Sequence, residues 1–133
     1  MIPPLDANGN LPPGIHPATL DEIEERYGKE TELRRVQMQS RRWLIEIARR
    51  AGVVKLAVNG SFVSDNPEPN DVDCVLLLAS DYPKDRTAKD ELREGLPFIQ
   101  MYLEDEKGYD YFVQHFFAAD RNDVPKGLLE VFI

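Results

Sequence analysis

The run Val72-Asp73-Cys74-Val75-Leu76-Leu77-Leu78 carries apolar side chains at both odd and even positions, broken only by Asp73. A strand with one face in water alternates apolar and polar residues, so this run predicts a strand covered on both faces and central in a sheet. The chain must therefore supply layers on both sides of that sheet. Val53-Val54-Lys55-Leu56-Ala57-Val58 is a second β-branched run. Phe98 to Leu103, entered through Gly95-Leu96-Pro97, reads as a third strand, and Lys126 to Ile133 as a last one.

Helical signals lie between these runs. Thr19-Leu20-Asp21-Glu22 is a capping box that opens a short helix to about Tyr27, stopped by Gly28. From about Glu30 to Ala51, the residues Leu33, Val36, Ser40, Trp43, Leu44, Ile47 and Ala51 recur at three- and four-residue steps. That spacing predicts one long amphipathic helix ended by Gly52, with Trp43 in the core. Residues 84–94 read as an exposed, charged helix, and Tyr109 to Ala119 as another. The order implies an α+β fold, a small mixed sheet of about four strands flanked by helices.

Five of the ten prolines, at positions 3, 4, 12, 13 and 17, fall in residues 1–18. Proline lacks the N–H that helices and inner strands need, so this segment is expected to be an extended arm, with residues 19–133 forming a single domain. Ile2, Leu5, Leu11 and Ile15 favour an arm packed along the domain surface. No apolar stretch approaches the roughly 20 residues of a membrane span. The start of the chain lacks the charged and apolar regions of a signal peptide, and Cys74 is the single cysteine, so a cytoplasmic location without membrane contact is expected.

Sixteen basic and twenty-four acidic residues give a net charge of −8, which argues against broad nucleic-acid binding. Eight of the sixteen basic residues nonetheless fall between Lys29 and Lys55. The pairs Arg34/Arg35, Arg41/Arg42 and Arg49/Arg50 flank the helical stripe and read as a solvated face. Arg42 and Lys55 are the positions from which a cation would reach a nearby anion. Cys74 reads as a small buried hydrophobe, and His16 and His115 lack partners at zinc-ligand spacing.

The constellation with chemical content is Gly60-Ser61, nine intervening residues, then Asp71-Val72-Asp73 at the opening of the central strand. Residues two apart on a strand share a face, so Asp71 and Asp73 can hold one divalent cation. Hard cations take oxygen ligands and keep positions open for phosphate oxygens. Gly60 allows close backbone approach to a phosphate, and Ser61 offers its N–H and hydroxyl. Asp-x-Asp alone is also ordinary turn chemistry beside Pro69-Asn70, and an EF-hand is excluded because no third ligand and glycine follow at the required spacing.

On these residues the chain resembles nucleotidyltransferases of the polymerase-β type, especially the minimal single-domain members that include the MNT antitoxins paired with HEPN toxins. With its Leu11-Pro12-Pro13-Gly14-Ile15-His16 and Pro125-Lys126-Gly127 segments, it also resembles a set of short prokaryotic proteins related to them. The resemblance implies a nucleotidyltransferase-like fold that binds a nucleoside triphosphate such as ATP and transfers a nucleotidyl group to a hydroxyl acceptor. It implies Asp71 and Asp73 as catalytic ligands to magnesium or manganese, and Gly60 and Ser61 at the triphosphate. In the family a third carboxylate stands on the following strand. Here the corresponding position holds Gln100, a weak magnesium ligand. Glu104 lies on the same face but roughly 13 Å further along, and Glu130 on the last strand is a further candidate. A protein partner such as a HEPN-type toxin is the other implication, with the chain as a catalytically degenerate, antitoxin-like or regulatory module. A plain structural domain whose Asp pair caps a strand is the third reading.

Overall fold

The computed structural model describes residues 2–59, 61–64, 66, 69, 72–116 and 125–133, with the side chains of Ser61 and Phe116 set aside. Strand β1 (Gly14–Pro17) precedes helix α1 (Leu20–Tyr27), helix α2 (Glu32–Ala51) and strand β2 (Val53–Asn59). A 3₁₀ turn (Ser61–Val63), β3 (Val72–Leu78), α3 (Arg86–Glu94), β4 (Ile99–Glu104), α4 (Glu106–Tyr111), a π-helical turn (Phe112–Phe116) and β5 (Gly127–Phe132) follow.

Local chemistry sets these boundaries. Thr19 accepts the Glu22 N–H while the Glu22 carboxylate accepts the Thr19 N–H, which closes the capping box of α1. Thr31 caps α2, starting it two residues later than Glu30. Gly52 ends α2 at φ 101°, a left-handed conformation that costs glycine no Cβ clash. Asp85 caps α3 by accepting from the Thr87 and Ala88 N–H groups. The helix expected from Tyr109 begins earlier, at Glu106, capped by Asp105, and widens into the π-turn at Phe112. Its expected last residues, 117–119, lie outside the described ones.

The sheet runs β1-β5-β2-β3-β4. β2 is antiparallel to both β3 and β5, while β3/β4 and β1/β5 are parallel. β3 is thus an inner strand, as its two apolar faces require. The sheet has five strands rather than four, because Gly14–Pro17 of the proline-rich segment pairs along β5. Proline is tolerated there because β1 is an edge. The close seat depends on Gly127: a Cβ at that position would run into the Pro12 carbonyl.

One face of the sheet packs on α1, α2 and α3 through Leu56, Val58, Cys74, Leu76, Leu129 and Val131 against Ile23, Leu44, Ala48 and Leu92. Ile2 and Leu11 are buried in the same cluster. Ile99, Met101 and Leu103 of β4 also turn this way. The other face carries a smaller cluster in which Ala57, Val75 and Leu128 meet Tyr109 and Val113.

Helix α2 is rotated relative to the expected stripe. Val36 and Trp43 are exposed, Trp43 by 53%, whereas Arg34, Gln37 and Arg41 are buried. Two arginines assigned by pattern to a solvated face are therefore interior. For Arg34 the cause is a set of acceptors: Nη1 donates to the carbonyls of Tyr27 (3.1 Å) and Phe62 (2.8 Å), and Nη2 to those of Ser64 (3.0 Å) and Asn66. Gln37 adds a bond from Nε2 to the Pro69 carbonyl at 2.6 Å. A hydrophobicity pattern counts arginine as outward-facing and cannot anticipate carbonyls supplied by a distant segment. Because each bond to a charged donor is worth about 1.5–3 kcal/mol, Arg34→Met should lower stability by about 3 kcal/mol or more in urea unfolding. A loss below about 1 kcal/mol would mean that the carbonyls find other donors at little cost.

Candidate functional site

β2 ends, and β3 and β4 begin, at one rim of the sheet. The register pairs Asn59 with Asp73 and Asp73 with Gln100. Neighbouring strands lie about 4.8 Å apart and paired residues share a face. The three side chains thus form a row across three strands, on the face opposite Val58, Cys74 and Met101. Two residues inward on the same strands, Ala57, Val75 and Tyr102 belong to the smaller cluster under Tyr109 and Phe112. The row lies where that cluster ends.

The rim is held tightly. Val72 N–H donates to the Phe98 carbonyl at 2.8 Å, joining the starts of β3 and β4. Phe98 adopts φ 65°, a strained conformation for a bulky residue, immediately before the strand that carries Gln100. Asn59 is only 5% exposed, and its Oδ1 has no hydrogen-bond partner among the described residues. A buried oxygen acceptor left unmatched beside a carboxylate suits a hard cation, whose bonds are to oxygen. The described part of such a ligand set is one carboxylate and two amides, and no cluster of three His, Cys, Asp or Glu occurs among the described residues. Ser61 opens the 3₁₀ turn just after β2. Gly60 and Asp71 lie outside the described residues.

The two alternative acids stand elsewhere. Glu104 pairs with Leu77, four residues beyond Gln100 along β4, and its carboxylate packs against Gly108. Glu130 pairs with Ala57 and is buried. It accepts a 2.8 Å bond from the Tyr109 hydroxyl and lies 3.2 Å from Lys55 Nζ. Burial first, and then the Glu130 hydrogen bond and charge, push the Tyr109 phenol well above its ordinary range, so it stays a donor. Glu130 thereby docks α4 on the sheet. Lys55 is committed to that cluster, over the Tyr109 ring at 5.1 Å. Arg42 is equally committed, to Glu24 and Asp21 of α1.

His16 donates from Nε2 to the Pro12 carbonyl at 2.7 Å, and His115 is exposed beside the Tyr111 ring. Cys74 is buried, its thiol pushed up to about 11 chiefly by burial. Sequence reasoning missed Asn59. Counting back along the β2–β3 pair from Asp73 would find it, but only once the register is known.

Tyr109→Phe removes one of the two partners of a buried carboxylate, so urea unfolding should show a loss of about 1–2 kcal/mol. An unchanged stability would mean that Lys55 alone satisfies Glu130. The chain has no match among curated proteins or solved structures. A family model covers residues 3–132, and the chain belongs to that family, a family of unknown function (DUF6932).

Proposed function

We propose that the chain is a minimal nucleotidyltransferase that binds a nucleoside triphosphate with a divalent cation at the Asn59–Asp73–Gln100 rim. The observation that carries this reading is the register, which sets a carboxylate between two amide side chains directly beside the turn opened by Ser61. Asp73, with Asp71, would hold magnesium or manganese, which when bound supplies charge neutralisation to the phosphates. Asn59 would offer its buried Oδ1 to the same ion, and Gln100 its side-chain oxygen. Gly60 and Ser61 would take phosphate oxygens through backbone N–H groups.

In the proposed transfer the acceptor hydroxyl attacks the α-phosphorus and the bond to the bridging oxygen of the β-phosphate breaks. Pyrophosphate departs, and the hydroxyl proton is lost to water. The protein's share is positioning and charge stabilisation rather than covalent chemistry. Neutral, exposed Gln100 favours one competing reading, a nucleotidyltransferase-like domain without turnover that serves as a partner-binding, antitoxin-like module.

Isothermal titration with ATP, GTP, CTP and UTP, with and without magnesium, tests the reading. At least one nucleotide should bind in a magnesium-dependent way, and Asp73→Asn should weaken that binding by about tenfold or more. Gln100→Glu adds a ligand charge and should tighten magnesium binding several-fold. Absence of binding by every nucleotide would sink the enzyme reading and favour the partner-binding one.

A further inference from the structure

Phe62 stands at the centre of a group of buried hydrogen-bond donors. Its ring is fully buried, and two guanidinium groups of α2 face it, Arg34 at 5.1 Å and Arg41 at 4.5 Å from the ring centroid. Tyr27 lies alongside, the ring centroids 6.2 Å apart. Arg34 spends its donors on carbonyls. Arg41 is different: it is 0% exposed, and Nε, Nη1 and Nη2 all lack a hydrogen-bond partner among the described residues.

An unpaired buried guanidinium is among the most costly arrangements a fold can hold. The Phe62 ring face offers a cation only part of what water would. Burial lowers the Arg41 pKa to about 10, so the group still carries its charge at neutral pH. Neighbouring Cys74 gives no counter-charge there, because its thiol is protonated. Arg42 and Lys55, by contrast, are both matched to carboxylates. Charge and hydrogen-bonding deficit thus coincide at Arg41, which among the described residues has no acceptor with negative charge.

We propose that Arg41 is the cationic floor of an oxyanion site beneath the Ser61–Val63 turn, taking a phosphoryl group whose oxygens accept from the guanidinium. Guanidinium forks match phosphate oxygens in pairs. A second guanidinium at the same ring favours a multiply charged anion over a simple carboxylate. Since Phe62 and Arg41 are both shut off from solvent, the oxyanion enters by displacing the Phe62 ring. Arg41 and Asp73 stand on opposite faces of β3, so the site needs neither the cation nor the nucleotide reading.

The test uses the full chain, magnesium-free buffer and inorganic pyrophosphate, followed by titration calorimetry and thermal unfolding, with acetate in a parallel arm. Pyrophosphate should bind and raise the unfolding temperature, and acetate should not. Arg41→Met should weaken the binding by about tenfold or more, while being at least as stable as the parent without anion. Arg41→Lys keeps the charge but loses the fork and should weaken binding several-fold. Arg42→Met should leave the response intact. No pyrophosphate binding, unchanged binding in both Arg41 variants, equal loss in Arg42→Met, or an anion-free Arg41→Met less stable than the parent would each overturn the proposal. Failure of magnesium-dependent nucleotide binding leaves it standing, because the two readouts use different ligands and different faces of the sheet.

Discussion

The burial of Arg34 is the interaction on which the rest of the arrangement depends. Its guanidinium ties the last residue of α1 to the segment that follows β2, through the carbonyls of Tyr27, Phe62, Ser64 and Asn66. Loop carbonyls have no ladder to bond with, and a segment crossing a core with them unmatched would be costly. A single planar donor group on a capped twenty-residue helix meets that need. Phe62 and Val63 are thereby buried without belonging to a strand. The described residues between β2 and β3 are thus tied to α2.

The same dependence explains which features were legible in the sequence. The Thr19 box, the Gly52 stop and the inner position of Val72–Leu78 are local or short-range properties, and each has a residue that enforces it. The buried face of α2 is not local. Its apolar spacing admits Val36 and Trp43 as readily as Met38 and Ile45, and the choice between them is made by Arg34 and Gln37, whose acceptors beyond β2 lie 28 to 32 residues downstream. Strand β1 escaped for a related reason. Proline density correctly excludes an inner strand but says nothing of an edge beside Gly127. Of the candidate site, Gln100 was legible as the position where the family resemblance puts a third carboxylate, whereas its register opposite Asp73, like Asn59 and Arg41, required the three-dimensional structure.

The period-two alternation of β3 also divides the chemistry of the molecule. Asp73 faces the side covered by α4, at the rim, with Asn59 and Gln100 as lateral neighbours. Cys74, the next residue, faces α2 and lies close enough to Arg41 to feel its charge. Adjacent residues therefore serve two environments separated by the sheet. The first collects oxygen atoms and suits a cation; the second holds unmatched donors and suits an anion. A phosphorylated ligand and its counter-ion ordinarily share one side of a protein, so the two proposed sites would be filled in two separate binding events rather than as two halves of one.

The distribution of acids bears on how far the rim can support transfer chemistry. Glu130 is held by Tyr109 and Lys55, and withdrawing it would strip a buried hydroxyl and an ammonium of their acceptor at once. Glu104 is fixed two pleats away by its own register, under Gly108. Neither can move to the Gln100 position without dismantling the seat of α4. Among the described residues, the negative charge of the row is therefore limited to Asp73. A site with few carboxylates binds a bare cation weakly, and its affinity rises when the phosphates of a ligand complete the coordination. Metal and nucleotide at this rim should consequently bind as one unit, each strengthening the other, rather than in an order fixed by a preloaded ion.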